Sequence, residues 1–149
     1  YVQLFNGTLL KMNLYEVESN ILRMQYSHID TLININLGGI NEKLKKIGIE
    51  KSKERVLNYD CDILTVESDD LKDNPLRKAS YYFNPEFPIN SKWYEKQKAS
   101  SYNVIYEKME ALPIKIIVAK KDLTITMIAT SIHKQLIPDS VFIKRLTLY

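Results

Sequence analysis

The sequence predicts an α+β fold: a mostly antiparallel, curved sheet with two helices packed on one face, and a partly closed β-barrel as the alternative. Three observations point there. Apolar and polar residues alternate through four successive runs in the first forty positions. A helical spacing replaces that alternation in two stretches, one after Gly39 and one after Asn90. Alternation then returns on both sides of Lys120-Lys121-Asp122. Period two divides side chains between the two faces of a strand, whereas a period of 3.6 gathers them into one stripe on a helix. The expected order is ββββ-α-β-loop-α-βββ.

Each element follows from its local pattern. Val2 and Leu4 alternate with Gln3, and Asn6-Gly7 then marks a hairpin turn, since both residue types accept positive φ. Leu10, Met12 and Leu14 oppose Lys11, Asn13 and Tyr15; Glu18-Ser19-Asn20 marks the next turn. Leu22, Met24 and Tyr26 oppose Arg23, Gln25 and Ser27, and after His28-Ile29-Asp30 a fourth run sets Ile33, Ile35 and Leu37 against Asn34 and Asn36. The meander is expected to keep one wet face. Gly38-Gly39 ends it.

Ile40, Leu44 and Ile47 are spaced as one stripe of a short helix, with Gly48 as its stop. Leu57, Tyr59, Cys61 and Ile63 alternate with Asn58, Asp60 and Asp62, which predicts a fifth strand. Residues 67–90 show neither period and are expected to form a long loop. Asn90 or Ser91 can cap a second helix carrying Tyr102, Ile105, Met109 and Leu112 on one stripe, ended by Pro113. IKIIVA and LTITMIAT form a hairpin around Lys120-Lys121-Asp122, and SVFIKRLTLY supplies a last strand after Ile137-Pro138-Asp139.

The chain has 149 residues, 45% of them hydrophobic and 26% charged, which fits one domain over 1–149. Its start at Tyr1 suits a piece of a longer protein. Cys61 is the lone cysteine, so no internal disulfide can form, and a reducing, cytoplasmic compartment is favoured. No apolar run approaches the ~18 residues of a membrane span. The net charge of +3 conceals blocks: residues 40–59 carry net +3, residues 60–74 net −5 and residues 75–149 net +6. Local blocks of both signs argue against a uniformly basic nucleic-acid binder.

Chemistry-bearing motifs are sparse. Asp60 and Asp62 share a strand face and could hold a divalent metal; the plainer reading is a solvated face. His28 and His133 lack partners at metal-ligand spacing. A pairing of Cys61 with one of them stays open as a nucleophile–base pair, but Cys61 falls on an apolar face, where a small buried hydrophobe is the simpler role. Neither a phosphate-cradling glycine loop nor a cofactor motif is present, so no catalytic, metal or cofactor site is expected.

The densest signal is aromatic. Tyr81, Tyr82, Phe83, Phe87, Trp93 and Tyr94 lie within residues 81–94, among fifteen aromatics in the whole chain. Such a segment either caps its own core or docks on a partner, since Tyr and Trp dominate binding hot spots. The expected function is a non-catalytic protein–protein interaction module, a subunit or domain of a larger assembly that binds a protein partner or self-associates as a homo-oligomer. Tyr81, Tyr82, Phe83, Phe87 and Trp93 are the expected contacts, with Trp93 and Tyr94 inward and Tyr81–Phe83 outward. Exposed edge strands could extend a neighbour's sheet. The alternative is a single-stranded nucleic-acid-binding domain, with a basic rim of Lys43, Lys45, Lys46, Lys51 and Lys53 beside the sheet. Third comes a metal-dependent phosphotransfer enzyme built on Asp60 and Asp62.

Overall fold

Two open antiparallel sheets follow one another along the chain. The computed structural model describes residues 2–4, 10–26, 32–39, 42–70 and 76–133. The first sheet holds β1 (Val2–Leu4), β2 (Leu10–Glu16), β3 (Ile21–Tyr26) and β4 (Leu32–Asn36), each paired with the next. The second holds β5 (Glu42–Val56), β6 (Tyr59–Asp70), β7 (Leu76–Pro88), β8 (Ala111–Lys120) and β9 (Leu123–Ile128), again in sequence order. Two 3-10 turns, Ser91–Tyr94 and Ala99–Ser101, lead into α1 (Tyr102–Met109), which connects β7 to β8. The α+β class and the antiparallel pairing are as expected. The expected order is not: a single α-helix is present among the described residues, and neither sheet closes into a barrel. No described helix is long and apolar enough to cross a membrane. The Asn6-Gly7 and His28–Asp30 turns and the strand expected over 140–149 lie outside the described residues.

The first sheet is the expected meander, with the turn at 17–20 carrying Glu18-Ser19-Asn20. Its faces differ from expectation. Leu14 stands opposite Arg23, and Arg23 opposite Asn34; Tyr15 stands opposite Leu22, and Leu22 opposite Ile35. The apolar alternation of β3 is therefore one step out of phase with Leu14, because the turn length sets the register. Apolar side chains consequently occupy both faces. Arg23 and Glu16 bridge β2 and β3 with an Nε–Oε1 distance of 2.8 Å.

The expected first helix is instead part of β5. Leu44 faces Ser68, but Lys46 already faces Glu67 and Ile47 faces Val66, so β5 carries one extra residue between Leu44 and Lys46. That bulge puts Leu44, Ile47 and Ile49 on one face. It turns a spacing of two into three and imitates a helical stripe. Gly48 lies in mid-strand opposite Thr65.

The expected loop over 67–90 is largely strand: the end of β6 and all of β7. β7 is central, between β6 and β8, and packs on both faces, so its apolar residues run together instead of alternating. Its prolines fall where pairing with β8 breaks: Phe83 faces Pro113, and the next partners are Pro88 and Ala111. Asn84 steadies that break. Its amide donates to the Asp60 carbonyl at 2.8 Å, and its side-chain oxygen accepts from the Glu86 N–H at 2.7 Å.

The main core lies between the second sheet and α1. Leu64, Val66, Ala79, Tyr81 and Phe83 supply the sheet side; Ile105, Tyr106 and Met109 supply the helix side. Asn90 caps the first 3-10 turn by accepting from the Lys92 N–H at 3.1 Å, as its sequence position suggested. The Ile105–Met109 stripe is buried as expected, but the helix stops at Glu110, which is left-handed (φ 48°). Leu112 and Pro113 belong to β8. A second cluster of Val56, Cys61 and Ile114, with Tyr59, Tyr82 and Phe87 around it, gathers near the β5–β6 turn.

The first sheet is tied to the segment before α1. The Asn20 amide donates to the Lys96 carbonyl at 2.8 Å, and the Lys98 and Ala99 N–H groups both donate to the Leu37 carbonyl at 3.0 Å. Tyr15 stacks on Tyr94 with ring centroids 6.0 Å apart, and Tyr94 stacks on Tyr106 at 3.7 Å.

Candidate functional site

The aromatic segment splits between core and surface. Tyr81 and Phe83 are 1% and 4% exposed, so their side chains fill the core and cannot meet a partner. Tyr82 points to the opposite face, half-buried, with the Lys115 ammonium 4.7 Å from its ring centre. Phe87 packs edge-on against Tyr59, with ring centroids 4.8 Å apart. Trp93, 49% exposed, points outward while Tyr94 is buried. For Tyr81, Phe83 and Trp93 this reverses the expected orientation, whereas Tyr94 is inward as expected and Tyr82 lies on the face away from the core. Tyr81, Phe83 and Tyr94 thus close the chain's own core.

A buried polar cluster lies at one end of that core. Glu42 and Arg77 pair at 2.8 Å, with their side chains about one-tenth exposed. Ser68 Oγ donates to the same carboxylate at 2.8 Å, and Ser100 Oγ reaches it at 3.4 Å. The Tyr81 hydroxyl beside them is buried without a hydrogen bond of good geometry. Burial pushes the Tyr81 and Tyr102 phenols up, with Arg77 pulling the other way. This arrangement stabilises neutral phenols and a paired carboxylate, and suits structure rather than proton transfer.

The other candidates are placed as follows. Lys43, Lys45, Lys46, Lys51 and Lys53 are exposed along β5, but Lys45 holds Asp69 at 2.6 Å and Lys51 holds Asp62 at 2.7 Å. Asp60 pairs separately with Arg55 at 3.0 Å, so the two aspartates answer to different cations. Cys61 is buried, and desolvation raises its thiol, the opposite of what a nucleophile needs. His133 is exposed, and His28 lies outside the described residues. Among the described residues no three His, Cys, Asp or Glu side chains gather to hold a metal. A polar depression lined by Ser91, Lys92, Glu95, Asn103 and Glu107 sets no nucleophile beside a base.

The feature that sequence reasoning passed over is β9. It pairs with β8 through a two-residue turn, Lys121-Asp122, and among the described residues forms one edge of the second sheet. Leu123, Ile125 and Met127 stand opposite Lys120, Val118 and Ile116. They therefore continue the face that α1 covers over β6 and β7. Over β9 that face is open among the described residues: Leu123, Ile125 and Met127 are 46% to 60% exposed, and Ile128, on the opposite face, is 55% exposed.

Backbone phase completes the site. The Ala129 N–H donates to the Ile114 carbonyl at 2.9 Å, in the same register as the β8–β9 pairs. In an antiparallel ladder, alternate residues bond inward. Leu123, Ile125 and Met127 thus bond toward β8, and Thr124, Thr126 and Ile128 turn their N–H and C=O groups to the free edge. No ionisable side chain lies within β9. The opposite edge, β5, carries five lysines and one arginine over fifteen residues, the usual guard against strand addition. An uncharged Thr-apolar run was the available sequence signal.

Comparison with known proteins gives no match: neither a family model, nor a curated protein, nor a solved structure is significantly similar to this chain.

Proposed function

We propose that this chain is a non-catalytic protein-binding module whose β9 edge accepts an extended strand from a protein partner. The observation that carries the reading is the uncharged β9 edge, unpaired among the described residues, with Leu123, Ile125 and Met127 exposed beside it. Strand addition draws affinity from main-chain hydrogen bonds and selectivity from alternate side chains. Here the partner's alternate residues would meet apolar side chains on one face and threonines on the other. A six-residue strand makes a small interface compared with the roughly 1,200–2,000 Å² of stable complexes. Micromolar affinity is therefore expected.

Two other readings fit less well. The nucleic-acid alternative rests on β5, where Lys45 and Lys51 are held by carboxylates. Phosphotransfer rests on Asp60 and Asp62, which face separate cations.

Thr126→Pro tests the proposal. The Thr126 N–H faces the free edge, so proline removes no bond to β8 and blocks only the incoming strand. A labelled peptide of alternating isoleucine and threonine is titrated by fluorescence anisotropy. Wild type is expected to bind, and the variant to bind at least about tenfold more weakly with its melting temperature changed by only a few degrees. Equal binding by both proteins would falsify the proposal.

A further inference from the structure

The identity of the incoming strand follows from β9 itself, on the reading just given that β9 is a docking edge. We propose that its occupant is β9 of a second copy of this chain, paired antiparallel about a two-fold axis through Ile125. The stretch Leu123-Thr124-Ile125-Thr126-Met127 matches its own reverse in character. With the axis at Ile125, Leu123 meets Met127 of the second copy, Thr124 meets its Thr126, and Ile125 meets its own counterpart. Each apolar residue faces an apolar one, and each threonine faces a threonine; both are favourable cross-strand pairs.

The backbone phase is consistent with this pairing. Thr124 and Thr126 both turn their N–H and C=O groups outward, so they form a hydrogen-bonded pair across the axis. Ile125 bonds inward to β8, so the two Ile125 residues form a non-hydrogen-bonded pair, whose Cα atoms approach to about 4.5 Å. Shifting the pairing by one residue would set outward-bonding residues against inward-bonding ones and join the apolar face to the threonine face. Charge raises no objection, because β9 contains none. Self-pairing at β5 would instead bring together two strands that each carry six basic and three acidic residues. An axis perpendicular to the sheet keeps both α1 helices on one side, joins two five-stranded sheets into one, and merges the two exposed patches into a single strip.

Light scattering on a size-exclusion column over a concentration series tests the inference. Wild type is expected to pass from monomer to dimer. Ile125→Lys and Ile125→Glu each place like charges opposite one another and should weaken dimerisation by at least about tenfold. Mixing the two variants should restore a heterodimer, because only this register sets residue 125 against itself. Ile125→Cys should form a disulfide dimer on mild oxidation, whereas Thr126→Cys, which faces residue 124, should not. Circular dichroism confirms that each variant folds, as expected at half-exposed or exposed positions. A dimer that survives the single charge substitutions overturns the inference, as does equal cross-linking at 125 and 126. If wild type stays monomeric, a synthetic peptide of residues 122–130 separates the two readings. Binding of that peptide with loss in Thr126→Pro leaves the docking edge standing and removes the second copy; no binding removes both.

Discussion

Asn20 shows how one residue can hold two parts of a chain together. Its backbone is left-handed (φ 55°), a conformation Asn tolerates better than most residues. Its side-chain oxygen accepts from the Tyr15 hydroxyl at 3.0 Å while its amide donates to the Lys96 carbonyl. Its own carbonyl accepts from the Leu37 N–H at 3.1 Å. The residue is buried, so removing its side chain leaves the Lys96 carbonyl without this donor and the Tyr15 hydroxyl without this acceptor. Asn20→Ala should therefore cost on the order of 1–3 kcal/mol, with a further contribution from the left-handed backbone. Asn20→Gly relieves the backbone but not the lost hydrogen bonds, and should cost less. Urea melts of the two variants measure the difference; equal midpoints for wild type and Asn20→Ala would show that the tie is unimportant.

At the level of elements, the aromatic segment can be tested as a strand. Phe83 lies in the core from β7, and Trp93 lies outside it. Phe83→Ala should destabilise by about 3–5 kcal/mol, whereas Trp93→Ala should stay within about 0.5 kcal/mol. Similar small losses from both would mean that the segment is a surface loop after all. Why that segment misleads is physical. β2, β3, β8 and β9 were legible as strands from their alternation, although β2 and β8 each carry a register shift, and the Ile105–Met109 stripe of α1 was legible as a helix face. β7 is packed on both faces, which erases alternation, and β5 carries a bulge that mimics a helical spacing. The faces of the first sheet depended on register, which the turn decides and the strand's own sequence does not. The candidate site was half legible. LTITMIAT was readable as a strand, but being an edge is a relation to neighbours that no local pattern encodes.

Across the whole molecule, tyrosines mark where the parts join, and they make the fold sensitive to base. Tyr15 of the first sheet, Tyr94 and Tyr106 form a stack from sheet to helix, and Tyr102 adjoins Tyr106 with centroids 5.9 Å apart. Desolvation raises the phenols of Tyr15, Tyr81 and Tyr102 above the usual 10.0, and raises the Cys61 thiol above 9.0. A raised value means the unfolded chain loses these protons first. The stability they confer is therefore complete below pH 9 to 10, near those ordinary values, and is lost as pH climbs through the native ones. The groups sit in both sheets, so ionisation and loss of structure should coincide. In an alkaline titration, the buried phenols of Tyr15, Tyr81 and Tyr102 are expected to ionise only as far-ultraviolet circular dichroism collapses. Smooth ionisation of all ten tyrosines with the circular dichroism unchanged would contradict the burial that couples the two sheets to α1.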